Sequence, residues 1–153
     1  MDQEYKNILV GIDGSEQASA AFKKAVEVAR RNNGTVYVAN VIDQQFYNFM
    51  GYAPMDQNLI DQGTENAKEM IQSCKDYGKS VNYTKIEGII AYGSVKEAMA
   101  VNLPKKYQID LIMVGQSGLN AVERFMTGSV ASHVIRRAPC DVLIVTETKE
   151  AEE

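Results

Sequence analysis

The 153-residue chain has no tryptophan, one histidine, two cysteines and three prolines. A metal site built from several histidines is therefore excluded, and a Ser-His-Asp triad would have to use His133. Because His133 falls within a predicted helix, we interpret it as a structural residue. Cys74 and Cys140 have neither the paired spacing of a zinc site nor the pattern of a disulfide framework. We expect both to be small, buried apolar side chains.

Positive charge and long apolar runs are also scarce. The formal net charge is -4 and the pI is about 5.1, which argues against a nucleic-acid partner, since such binding relies on clustered Lys and Arg. No apolar stretch approaches the roughly 20 residues of a membrane span, and the first four residues lack the pattern of a signal peptide. We expect a cytoplasmic protein without a membrane or nucleic-acid partner. Its length suits one domain, residues 1–146, followed by a charged tail, 147–153.

Apolar and amphipathic segments alternate along the chain. Apolar or β-branched runs predict five strands, at 7–12, 35–42, 81–86, 110–114 and 142–145. Amphipathic spacing and caps predict four helices, at 16–32, 59–78, 94–102 and 128–137. Residues 43–56 form the longest irregular stretch, and such stretches are usually functional or mobile. This alternation is typical of an α/β fold, with helices on both faces of an open parallel sheet.

The sheet topology predicts where a ligand would bind. In open parallel sheets, ligands lie outside the carboxyl ends of the strands, where the strand order reverses. With five strands in the order 3-2-1-4-5, that crevice lies between the first and fourth strands. Asp13 follows the first strand and Gly115 follows the fourth. We therefore expect these two residues to meet at the ligand site.

Glycines near the fourth strand carry the clearest functional signal. Gly115, Gly118 and Gly128 follow an apolar strand, and Ser129 opens a predicted helix. Glycine allows backbone to approach a ligand closely, and free N–H groups at a helix start favour anions. The motif predicts a phosphate cradle, although the glycines could merely permit a turn and Ser129 could be only an N-cap.

Three segments of this chain resemble the universal stress protein family. They are the start, Asn7-Ile8-Leu9-Val10-Gly11-Ile12-Asp13-Gly14-Ser15, the spacing Gly-x2-Gly-x9-Gly-Ser from Gly115 to Ser129, and the end, Ala138-Pro139-Cys140-Asp141-Val142-Leu143-Ile144-Val145. The resemblance covers nearly the whole chain. It implies the ATP-binding type of the family, with a Rossmann-like fold of the adenine nucleotide alpha hydrolase kind.

The resemblance also implies roles for individual residues. Asp13 would bind the adenosine end through its side chain and Val41 through its backbone, while Val114 and Gly115 would line the same pocket. The residues expected around the phosphates are Gly118, Gly128, Ser129 and Val130. Mg²⁺ or Mn²⁺ is expected to share the phosphate charge, and a homodimer is expected through 141–145. Many family members have Pro two residues after the glycine matching Gly93, whereas this chain has Val95, which leaves the geometry of that loop open.

Several functions remain open at this point. The leading hypothesis is an ATP-dependent sensor or regulator of the stress response. A second hypothesis is a slow ATPase or phosphotransferase. The chain, however, lacks the lysine of a Gly-x4-Gly-Lys-Ser/Thr loop and has no obvious base paired with a nucleophile. The third is a dimeric interaction module without a ligand. Cyclic AMP is an alternative ligand for the first.

Overall fold

A parallel sheet organises the protein. The computed structural model describes residues 4–43, 57–116 and 129–146. Their strands are aligned in parallel in the order β3-β2-β1-β4-β5, with bounds β1 Asn7–Gly11, β2 Thr35–Ile42, β3 Ile86–Tyr92, β4 Leu111–Gly115 and β5 Asp141–Val145. The predicted fold class and strand order are confirmed.

Helices cover both faces of the sheet. On one face, α1 (Glu16–Asn32) and α2 (Gln57–Ser80) bury apolar side chains such as Phe22 and Ile71 against the sheet. On the other face lie α3 (Val95–Glu97), a π-helical turn (Ala98–Asn102), α4 (Leu103–Lys106) and α5 (Ser129–Arg137). Met99 and Val134 contribute to the core on that second face. The central strand β1 therefore separates two apolar cores, and its residues Ile8, Leu9 and Val10 are fully buried.

The third strand differs from the prediction. The alternating residues 81–86 were expected to be a strand, but α2 runs on to Ser80 and β3 begins only at Ile86. Asn82 adopts a left-handed conformation with φ 60°, which interrupts an extended chain. The apolar residues of this loop pack onto the core instead: Tyr83 is 9% exposed, and its hydroxyl donates to the Gly34 carbonyl.

The helical stretch after β3 also extends beyond its predicted end. Ser94 caps it as expected, since its hydroxyl accepts the backbone N–H of Glu97 at 3.4 Å. The helix was expected to end near residue 102, ahead of Pro104, but helical structure continues to Lys106. Proline lacks an N–H and crowds the preceding turn. Here it lies in the first turn of α4, directly after the wider π-helical turn, where Leu103 donates to the Ala98 carbonyl.

Two predicted segments fall outside the described residues: most of the irregular stretch 43–56, from residue 44 onward, and the charged tail 147–153. Among the helices that the structure describes, none combines the length and apolar character needed to cross a bilayer.

Candidate functional site

A cleft opens where the strand order reverses. The chain leaves β1 toward β2 and leaves β4 toward β5, so the connections that follow these neighbouring strands run in opposite directions along the sheet. A cavity of about 480 Å³ lies between them, within the roughly 300–1,000 Å³ usual for small-molecule sites. The described residues that line it come from both strand ends and the adjoining helices: Gly11, Ile12, Asp13, Ser15, Gln17, Ala18, Ala39, Asn40, Val41, Val95, Met99, Val114, Gly115, Ser129, Val130 and Ala131.

The sequence-predicted site residues converge on this cleft. Six of the eight line it, namely Asp13, Val41, Val114, Gly115, Ser129 and Val130. The other two, Gly118 and Gly128, lie outside the described residues. The topology thus brings together residues from four separate parts of the chain. Their role in binding stays a prediction.

The β1 end is shaped by polar side chains. Asp13 Oδ1 accepts the backbone N–H of Ser15 at 2.9 Å, and this bond across two residues closes a turn. Gly14 within it has φ 85°, a left-handed conformation that favours glycine. Ser15 then caps α1, since its hydroxyl accepts the N–H of Ala18 at 3.1 Å. The turn leaves the Asp13 side chain exposed at the mouth of the cleft.

The β4 end is shaped by close backbone packing. A Cβ at Gly115 would lie 2.4 Å from the Gln17 carbonyl oxygen and 2.7 Å from its carbon. The first turn of α1 therefore occupies the space that a side chain would need. Gly115 lines the cleft, and its lack of a side chain has a packing role that the glycine motif did not reveal.

Sequence reasoning missed several residues of the cleft wall. Asn40 lines it and donates through Nδ2 to the Ile12 carbonyl at 2.8 Å, so it supports the β1 end from β2. A polar residue inside an otherwise apolar strand was a signal that could have drawn attention to it. Met99 also lines the cleft, and a Cβ at Gly11 would lie 3.2 Å from its Cε. Nothing in the sequence distinguishes Met99 from ordinary core.

The first turn of α5 forms another wall through Ser129, Val130 and Ala131. The dipole of a helix favours negative charge at its start. Further along α5, His133 Nε2 lies 2.9 Å from Glu97 Oε1 of α3, and Arg137 Nη1 lies 3.8 Å from the same oxygen. The expected structural role of His133 is thus a link between two helices that border the cleft.

The charge of the described lining is sparse. Asp13 is the one ionisable side chain among the described residues of the cleft. The described residues of the chain contain no group of three or more His, Cys, Asp or Glu that could bind a metal. Neither described cysteine lines it. Burial raises the pKa of the Cys74 thiol to about 11, and burial together with Asp110 and Asp141 raises that of Cys140 to about 11. Both are free and half-buried, and both stay protonated near neutral pH.

The fold and the cleft together define an α/β protein of Rossmann-like architecture with a ligand-sized crevice at its topological switch point. The chain matches the Universal stress protein family over residues 4–146, and it belongs to that family.

Relatives agree with this assignment. A Staphylococcus haemolyticus protein that bears the universal stress protein name is 40% identical over 141 residues, covering 92% of this chain and 84% of the relative. Universal stress protein UspA from Lactobacillus plantarum is similar in structure, with a TM-score of 0.76 at 27% identity over 94% of this chain and 99% of that one. A universal stress protein solved in complex with cAMP has a TM-score of 0.72 at 26% identity, over 94% and 98% of the two chains.

Proposed function

We propose that this protein binds ATP in the cleft between the ends of β1 and β4, and that the bound nucleotide controls its action as a cytoplasmic regulator of the stress response. The observation that carries the proposal is the convergence of the six predicted residues on one cavity of about 480 Å³. Membership of the universal stress protein family supports it.

The chemistry of the lining fits a nucleotide with its two ends in different surroundings. Asp13 repels phosphate but suits ribose hydroxyls or an adenine amino group as a hydrogen-bond acceptor. The first turn of α5 and the Ser129 hydroxyl suit the phosphates. One helix start favours an anion by only about 0.3–1 kcal/mol when exposed, so backbone N–H groups of the Gly115–Ser129 motif and a metal ion must share the charge.

A Mg²⁺ or Mn²⁺ ion fits the oxygen donors offered here. Such hard ions prefer oxygen ligands and bind through substrate phosphates with one or two protein groups. Ser129 is the hydroxyl residue that the described lining provides at the α5 side of the cleft. When bound, the ion would neutralise phosphate charge, while the protein would orient the nucleotide.

Isothermal titration with ATP and Mg²⁺ tests this proposal. We expect wild type to bind one ATP per chain and Asp13→Ala to bind roughly tenfold or more weakly, since a hydrogen bond to a charged group contributes about 1.5–3 kcal/mol. Asp76→Ala is the matched control, because Asp76 is also an exposed carboxylate with one hydrogen bond, from Gln72 at 2.9 Å, but lies on α2. Absence of heat with wild type at millimolar ATP, or an equal loss in both variants, would refute nucleotide binding at this cleft.

Cyclic AMP is a second candidate ligand, favoured by the relative solved in complex with cAMP. A competition experiment with labelled ATP decides between the two ligands. If cyclic AMP displaces the bound ATP at a lower concentration than unlabelled ATP does, cyclic AMP is the preferred ligand. ATP that displaces cyclic AMP more efficiently would favour the triphosphate.

The proposal includes a homodimer formed through β5. This strand ends the sheet order, so one of its edges has no neighbouring strand in the described sheet. Leu143 on β5 is 37% exposed, and pairing two copies would cover the open edge. We expect light scattering to give a dimer for wild type and a monomer for Leu143→Lys. Tyr92→Lys, at a 49% exposed residue on the opposite edge strand β3, should remain dimeric; a dimer in both variants would contradict this interface.

A further inference from the structure

A second cavity lies behind the β1 end of the cleft. It measures about 240 Å³ and is bordered by α1 and α2. It shares Ile12, Ser15 and Ala18 with the cleft and adds Gly14 of the turn and residues of both helices: Ser19, Phe22, Met70, Ser73 and Cys74. The turn after β1 is thus the wall that separates the two cavities.

Met70 connects the second cavity to this wall. Asn40 Nδ2 lies 3.6 Å from Met70 Sδ and donates to the Ile12 carbonyl at 2.8 Å. A Cβ at Gly14 would lie 3.6 Å from Met70 Cε. The thioether therefore contacts Asn40, which supports the β1 end, and lies next to the turn that positions Asp13.

Met70 also differs in accessibility from the other methionines that the structure describes. Met99 is 2% exposed and Met113 is 0% exposed, whereas Met70 is only partly buried and borders the second cavity. Oxidation of methionine requires access of the oxidant to sulfur and converts an apolar side chain into a polar one.

We propose that Met70 is an oxidation site at which a hydroperoxide alters the cleft. The Met70 sulfur donates an electron pair to the terminal oxygen of the hydroperoxide. An S–O bond forms as the O–O bond breaks, the hydroxyl proton moves to the departing oxygen, and water leaves when the oxidant is hydrogen peroxide. Sulfur is oxidised to the sulfoxide by two electrons and the peroxide is reduced.

The consequence follows from the contact with Asn40. Only 3.6 Å separates sulfur from Asn40 Nδ2, so an oxygen between them would stand well inside the roughly 2.7–3.2 Å of an N–H···O hydrogen bond. With the new oxygen on the side of sulfur that faces Asn40, either Asn40 or Met70 must move. A shift of Asn40 weakens its bond to the Ile12 carbonyl, directly before Asp13. The oxidised protein then holds the β1 end of the cleft less firmly.

Peroxide treatment of matched variants tests the site. We expect mass spectrometry to find a sulfoxide at Met70 before Met99 or Met113 react, and the oxidised protein to unfold about 2–4 °C lower. Met70→Leu, a swap that conserves volume, should resist this peroxide-induced drop, while Met113→Leu should show it as wild type does. Met70→Gln, which places a polar group at this position permanently, should show the lower midpoint without peroxide.

The effect on ATP affinity rests on the proposed function, so it is measured separately. Oxidation of wild type should weaken ATP binding about fivefold or more and leave the affinity of Met70→Leu unchanged. If untreated wild type fails to bind ATP, the proposed function fails, but the unfolding midpoint and amide exchange at residues 12–15 still test the oxidation site. An unmodified Met70 under conditions that oxidise Met99, or equal midpoint losses in wild type and Met70→Leu, would overturn the inference.

Discussion

The two strand ends that border the cleft are built in opposite ways. At the β1 end, side chains hold the backbone: Asp13 accepts from Ser15, and Ser15 accepts from Ala18. At the β4 end, backbone contacts backbone, because Gly115 lies where the first turn of α1 leaves no space for a side chain. Both strand ends contact α1, but the β1 end is held by hydrogen bonds, whereas the β4 end requires a residue without a side chain.

This difference predicts different tolerance to substitution. An isosteric change at the β1 end keeps the hydrogen-bond acceptor and should be mild. Any side chain at Gly115 meets the carbonyl of Gln17, which belongs to a helix and cannot rotate away. The β4 end should therefore be the more sensitive of the two.

The largest effect is expected from Gly115→Ala. The added methyl would stand 2.4 Å from the Gln17 oxygen, and overpacking of this kind costs roughly 1–3 kcal/mol. Urea unfolding should show a lower midpoint with an unchanged slope.

Gly63→Ala is the control for that change. Its added methyl would lie 3.7 Å from the nearest Ile42 atoms, an ordinary contact. Because Gly63 is inside α2, alanine there should stabilise the protein by up to about 1 kcal/mol. If both variants change stability in the same direction, close packing does not explain Gly115.

Ser15→Ala should have an intermediate effect. It removes the hydroxyl that accepts the Ala18 N–H at 3.1 Å, and loss of such a cap costs about 1 kcal/mol. The unfolding free energy, measured by urea titration, should fall by this amount, while Ser15→Asp, which restores an acceptor, should recover most of it. Equal losses in the two variants would show that the cap contributes little.

Asp13→Asn should have the smallest effect on stability. Asparagine retains an oxygen that accepts the Ser15 N–H, and the site is exposed, so we expect a change within about 0.5 kcal/mol in the unfolding free energy. Asp13→Ala, which lacks the acceptor, should lose more. Equal losses for asparagine and alanine would mean that the charge, which both variants lack, holds this turn, rather than the hydrogen bond that only asparagine keeps.

The contrast also explains what the sequence could predict. The turn at Asp13 and the cap at Ser15 use short-range contacts between neighbours, and the start of the helix directly after them was predicted correctly at residue 16. The packing of Gly115 against Gln17 joins residues far apart in the chain, and no local pattern contains it. Met99 escaped attention for the same reason, since its place in the cleft depends on the assembled fold, whereas Asn40 carried only the local signal of a polar residue in an apolar strand.

The misplaced third strand has a related cause. The predicted strand stopped at residue 86, but in the structure Gly88 lies in β3, where an added Cβ would be 2.5 Å from Ile71 Cγ2 of α2. Because glycine has no side chain, α2 can pack closely against β3 at this position. The alternating apolar residues near Tyr83, in contrast, belong to a loop that covers the core. Their periodicity therefore predicted burial correctly but predicted a strand wrongly.

The position of β1 has a consequence for how the protein is made. Among the elements that the structure describes, this strand leaves the ribosome first, yet its neighbour β4 follows much later. Ile8 aligns with Leu111, and the carboxylate that accepts the Lys6 backbone N–H belongs to Asp110, 104 residues further on. A nascent chain that has not reached β4 exposes one edge of β1. The floor of the cleft is therefore completed only late in translation, and until then that edge of β1 lacks the strand that covers it in the folded protein.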